Sequence, residues 1–104
     1  MASIVNKQQL LQRLRASAGP IFACGVKRLE LFGSFVRDEG GPESDVDFLV
    51  EFQPGQKTYD NFLALSALLE DLLGQPVELV TRESLSPYLG PSILSEAEDV
   101  ALRA

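Results

Sequence analysis

Two seven-residue stretches, Val26–Phe32 (VKRLELF) and Val46–Phe52 (VDFLVEF), constrain the fold more than anything else in this chain. The first alternates apolar and charged residues and reads as a strand with one wetter end. The second is an apolar run interrupted only by acids, and reads as a central strand buried on much of both faces. Between them Gly33-Ser34 breaks the first strand, a short helical turn through Arg37 is expected, and residues 38–44 (DEGGPES) are turn chemistry throughout. The pair is therefore expected to form a hairpin.

The remaining segments supply helices and one more strand. Ser3 to Ala18 reads as a helix, with Ile4, Leu11, Leu14 and Ala18 at helical spacing. Gly19-Pro20 is expected to stop it, and Ile21 to Gly25 to add one further helical turn. After a polar loop from Gln53 to Lys57, Thr58 reads as the cap of a helix whose apolar stripe is Tyr59, Phe62, Leu65, Leu69 and Leu72. That helix ends near Leu73, with Gly74 placed to terminate it. Val77 to Thr81 (VELVT) is a third, short strand; Ser84 to Leu89 reads as a helical turn, and Ser92 to Arg103 as a last helix behind Pro91. A hairpin followed by a helical crossover predicts an α+β fold, a small mixed sheet covered by helices. With no repeat and no dividing linker, residues 1–104 read as a single domain, too short to include a separate substrate-binding or lid domain. An enzyme of this size is expected to need a partner or a second copy to complete its site.

Composition removes several chemistries. Nine Lys and Arg stand against fifteen Asp and Glu, a net charge of −6, which disfavours sequence-independent binding to a nucleic-acid backbone. No direct DNA binding is expected. The absence of histidine excludes Ser-His-Asp and Cys-His catalysis and most zinc sites. A single cysteine, Cys24, makes no internal disulfide, which suits a reducing cytoplasm, and its apolar setting reads as packing. No signal-peptide pattern or membrane-length apolar run is present, so a cytoplasmic protein without membrane attachment is expected.

Three features carry chemistry. In Leu31-Phe32-Gly33-Ser34 a strand ends in glycine and a hydroxyl residue, where the backbone can approach a ligand closely; the following amides would face a phosphate if they opened a helix. In Ser44-Asp45-Val46-Asp47 two acids stand two apart, a spacing that puts both carboxylates on one face of a strand. Such a pair is unfavourable unless a cation or a raised pKa relieves it, and magnesium uses one or two carboxylates plus substrate phosphates. A bare Asp-x-Asp is more commonly a solvated strand end; the apolar run after Asp47 and the Gly-Ser turn eleven residues before Asp45 shift the balance toward a site. The third is Glu78. It is either the exposed position of an alternating strand or, if its strand lies beside Asp45 and Asp47, a further carboxylate for the same cation or for a nucleophile.

Gly33-Ser34-Phe35-Val36-Arg37 followed by Ser44-Asp45-Val46-Asp47-Phe48-Leu49-Val50 resembles the minimal nucleotidyltransferase family of the polymerase-beta-like superfamily. The resemblance runs from about Leu10 to Val100. It implies transfer of a nucleoside monophosphate, AMP from ATP, to an acceptor hydroxyl. It also implies roles: Gly33 and Ser34 on the β and γ phosphates, with Ser44 beside the nucleotide, and Asp45 and Asp47 on Mg2+. Glu78 would act on the second metal or on the attacking hydroxyl. Arg37 would contact phosphate or brace the acidic loop; its plainer reading is a surface salt bridge. Two departures bear on catalysis: the third acid is usually aspartate and here is Glu78, and the residue after Arg37 is often glycine and here is Asp38.

Family members of this size often act as antitoxins that modify and bind a helical HEPN-type ribonuclease toxin; the resemblance implies such a partner for this chain, and a homo- or hetero-oligomer is expected. The alternative is a binding module of the same fold that neutralises its partner by contact alone, favoured by Glu78 and Asp38. A small-molecule nucleotidyltransferase is a third, poorer reading, because those enzymes have an added domain. Tyr88, Leu89 and Ile93 form a candidate partner patch, though such residues are more often core.

Overall fold

The computed structural model describes residues 6–37, 39, 44–88 and 90–102. The predicted helix start with Ile4, most of the 38–44 turn with Asp38, Leu89, and the Arg103 end of the last helix lie outside the described residues. Among the described residues, four strands form one sheet in the order β3-β2-β1-β4, where β1 is Val26–Phe32, β2 Val46–Phe52, β3 Val77–Thr81 and β4 Glu98–Asp99. The β1–β2 pair is an antiparallel hairpin, and β2 runs parallel to β3, with helix α3 (Tyr59–Leu73) as the crossover. This is the α+β mixed sheet that the strand pattern implies, and its first three strands have the expected bounds.

Each face of the sheet has a separate use. Leu29 and Leu31 of β1 and Val46, Phe48 and Val50 of β2 point into a core shared with Leu10 and Leu14 of α1 (Lys7–Ala16) and Leu65, Leu69 and Leu73 of α3. The opposite face carries Arg28, Glu30 and Phe32 of β1 in register with Glu51, Leu49 and Asp47 of β2. Leu49 is nevertheless fully buried there, so β2 is covered on both sides as a central strand should be.

Helix ends account for the departures from expectation. Asn6 caps α1 by accepting from the Gln9 amide at 2.8 Å. The helix then breaks at Ser17, earlier than Gly19-Pro20, and a second helix α2 (Ala18–Ala23) contains both residues in its first turn. Proline is tolerated there because a first-turn N–H has no intrahelical acceptor. Thr58 caps α3 through the Asn61 amide, and Gly74 ends it in the left-handed conformation at φ 67°. Tyr59, expected on the apolar stripe, is 76% exposed; the buried line is Leu65, Leu69 and Leu73. The turn expected at Ser84 begins earlier, as a 3₁₀ turn over Arg82–Ser84.

The largest correction is at the C-terminal side. The helix expected over Ser92–Arg103 is a shorter α4, Gly90–Glu96, with Pro91 inside its first turn, followed by β4 on the free edge of β1. Val100 explains the switch: its side chain is fully buried, and its amide donates to the Leu29 carbonyl at 3.0 Å. Edge pairing with β1 satisfies backbone groups that a continued helix would have left beside the sheet.

Candidate active site

The hairpin positions the site at its connecting end. Phe32 pairs with Asp47, and Gly33 follows at φ 79°, a conformation that excludes a side chain without strain. The second constraint is space. A Cβ on Gly33 would overlap the Asp47 carboxylate, with Cγ only 3.1 Å away. Ser34 to Arg37 then forms turns rather than the opening of a helix, closed by the Glu39 amide donating to the Ser34 carbonyl at 2.9 Å. Phe35, 1% exposed, pins this turn into the core.

Asp47 lies directly across from Glu78 on the parallel strand β3, close enough for the two carboxyls to act on each other. Partial burial, reinforced by the Glu78 contact and by the charges of Glu78, Asp45 and Glu96, pushes the Asp47 carboxyl up from 3.8 to about 6. Asp45 stands one residue before β2, is exposed, and acts on Asp47 through its charge. Its entry into the strand is fixed from the α3–β3 loop: the buried Gln75 amide donates to the Ser44 carbonyl at 2.8 Å, and the Val46 amide to the Pro76 carbonyl at 2.9 Å.

Arg37 is exposed and binds two carboxylates, Glu39 at 3.2 Å and Glu96. These contacts hold its guanidinium charged beyond its ordinary range, Glu39 first and then Glu96. Glu96 also accepts from the Gly33 amide at 3.3 Å, so it reaches both the Gly turn and the arginine. Neither Glu96 nor Gln75 stands out in the sequence. A polar residue on a surface helix and another in a loop carry no local signal of what they reach across the fold.

The fold therefore gathers Gly33, Asp47 and Glu78 at one end of the sheet, with Arg37 joined to Gly33 through Glu96. Among the described residues, no group of three or more His, Cys, Asp or Glu side chains is drawn together tightly enough to enclose a metal ion. Asp47, with its raised pKa, and Glu78 beside it on the next strand are an all-oxygen donor set short of positive charge. That fits magnesium, which completes its octahedron with water and substrate phosphates. A cavity of about 130 Å³ bordered by Phe22, Lys27, Arg28, Leu29 and Asp99 lies toward the other end of β1, away from these carboxyls. Cys24 is no nucleophile on this geometry: its thiol donates to the Pro20 carbonyl at 3.6 Å, and burial pushes its pKa up. Among the described residues no helix is long and apolar enough to cross a membrane.

Residues 8–100 match the model of the nucleotidyltransferase domain family. The chain belongs to this family. It is 45% identical over 76 residues to MJ0435 of Methanocaldococcus jannaschii, a candidate protein adenylyltransferase, covering 73% of this chain and 81% of that protein. It is 40% identical over 72 residues to the protein adenylyltransferase MntA of Thermococcus cleftensis, covering 69% of this chain and 72% of that protein. Among solved structures, a candidate minimal nucleotidyltransferase is similar with a TM-score of 0.69 at 36% identity, over 85% of this chain and 93% of that one. A toxin–antitoxin crystal structure with AMP-PNP shares the fold with a TM-score of 0.62 at 21% identity, over 92% of this chain and 73% of that one. The nucleotidyltransferase fold and activity class expected from the Gly-Ser and Asp-x-Asp motifs are thus those of the chain's relatives.

Proposed function

We propose that this nucleotidyltransferase moves AMP from magnesium-bound ATP to a hydroxyl on a partner protein, and that the partner is a toxin of the HEPN type that the chain restrains as an antitoxin. The single observation that carries the chemistry is the packing of Gly33 against Asp47, with Glu78 paired to Asp47 from the next strand. A side chain at position 33 would collide with the Asp47 carboxylate; glycine lets that carboxylate lie directly against the turn proposed to bind phosphate.

In this reading the Gly33 and Ser34 backbone binds the β and γ phosphates, and Arg37 and Ser44 steady the triphosphate. Asp45 and Asp47 hold the metal with Glu78 beside them. Bound magnesium would neutralise charge on the attacking and leaving oxygens of an in-line displacement. The acceptor oxygen bonds to the α phosphorus as the bond to pyrophosphate breaks, and Glu78 takes the hydroxyl proton. The protein acceptor is supported by the names of the relatives, all at 35–45% identity. The toxin partner is supported by the name MntA, which recurs in the toxin–antitoxin MntA–HepT crystal structures of the same fold.

Incubation with labelled ATP, magnesium and the partner protein, beside Asp47→Asn, tests the reading. Label on the partner that disappears in the variant is expected. A stable complex without label would instead identify a binding module, the reading favoured by the longer Glu78 in place of aspartate.

A further inference from the structure

Glu96 is the last residue of α4 and spans the two groups that the proposed function assigns to phosphate. One carboxylate oxygen accepts from the Gly33 amide at 3.3 Å, and the other from the Arg37 guanidinium. A carboxylate and a phosphate offer the same thing here, a pair of negatively charged oxygens for an N–H and a planar cation. We propose that Glu96 is an internal occupant of the triphosphate cradle, and that nucleotide binds by taking the Gly33 amide and Arg37 away from it. This rests on the reading of Gly33 and Arg37 as phosphate contacts.

Three observations fit a displaceable occupant. First, Glu96 sits at a helix C-terminus, where outward-facing carbonyls disfavour an anion, so its place is maintained by Gly33 and Arg37 rather than by its own helix. Second, through the Gly33 amide it places a negative charge next to the turn that packs against Asp47, where an incoming phosphate would meet it. Third, the chain immediately after it is firmly anchored. Lys7 pairs with Glu98 at 2.5 Å, Arg15 donates to the Val100 carbonyl at 3.0 Å, and Val100 is fully buried. Release therefore needs only rotation of the Glu96 side chain or a tilt of the seven-residue α4, with β4 left paired to β1. Nucleotide occupancy would consequently be felt at α4.

The test compares affinities for magnesium with a non-hydrolysable ATP analogue, by calorimetry, in the full chain and in Glu96→Gln, Glu96→Ala and Glu39→Gln. Both Glu96 variants should bind roughly threefold to tenfold more tightly, because a charge-assisted contact no longer has to be broken. Glu39→Gln removes the other carboxylate on Arg37, at 3.2 Å, without touching Gly33, and should change affinity by less than about twofold. Equal gains from Glu39→Gln and Glu96→Gln would mean simple charge relief and overturn the proposal. Unchanged or weaker binding in the Glu96 variants, with normal binding by the parent chain, would overturn it and leave the nucleotide site intact. No binding by the parent chain or any variant would overturn the underlying phosphate-site reading. Glu96→Gln preserves shape, so a matching melting curve verifies the fold, and the Gly33 amide resonance should shift in this variant before any nucleotide is added.

Discussion

A carboxylic acid half-buried beside a second carboxyl resists ionisation until a cation arrives, and Asp47 is held in that position by β-strand register. Its ordinary pKa of 3.8 describes the unfolded chain, and about 6 the metal-free fold. Between those values the folded form binds the extra proton. This group's favourable contribution is therefore complete below the lower value and is lost as pH rises through the upper one. Allowing for solvent screening at a partly exposed position, the swing is about 1 kcal/mol. Asp47→Asn should remove it: in EDTA, urea denaturation should show the variant gaining on the parent between pH 4 and pH 7, while transfer activity disappears. A constant stability difference across that range would show that Asp47 is not the strained acid. Gly33→Ala is the complementary change. It combines a positive φ with a Cβ forced against Asp47, and should cost about 1–3 kcal/mol in thermal or urea unfolding. Nucleotide binding should fall further than stability does.

At the scale of elements, what could be read from the sequence follows how much each segment repeats its own signal. β1, β2, β3 and α3 each combine a full hydrophobic pattern with clear punctuation, Thr58 and Gly74 for the helix and Gly33 for the first strand, and their bounds were legible. The break at Ser17 was not, because Gly19-Pro20 is a stop signal inside a helix but an acceptable first turn of a new one. β4 has two residues and no periodicity; only its long-range pairing with β1 defines it. The site divides the same way. Gly33, Asp45, Asp47 and Glu78 lie in or beside strands, where a strand end, a two-residue spacing and an alternating strand make them candidates, whereas Gln75 acts through a long-range bond to Ser44. Gln75 is 4% exposed, and its replacement by alanine leaves the Ser44 carbonyl without this donor. About 1–2 kcal/mol of stability should be lost. If Gln75 also positions Asp45, the transfer rate of the folded fraction should drop several-fold. An unchanged rate beside a lowered melting temperature would limit it to bracing the fold.

For the molecule as a whole, the question that the proposed function raises is how a protein with a net charge of −6 would attract a polyanionic nucleotide. Asp47 feels Glu78, Asp45 and Glu96 together, so negative charge is concentrated at the candidate site. Arg37 is already shared by Glu39 and Glu96. Repulsion between like charges is felt over about 10 Å at 0.1 M salt, which covers the whole cradle. A divalent cation reverses the sign, because it removes charge from the carboxylates and the phosphates at once. Chelation should therefore act on binding itself as well as on the chemical step: in EDTA the affinity for ATP should fall at least about tenfold. Raising the salt without magnesium should recover little of it, since screening weakens repulsion without supplying a bridge. Calorimetric titration with and without EDTA checks this, using Asp47→Asn as reference. Equal affinities would mean that the nucleotide is held by the Gly33 turn and Arg37 alone, and that Asp45, Asp47 and Glu78 do not ligate the cation.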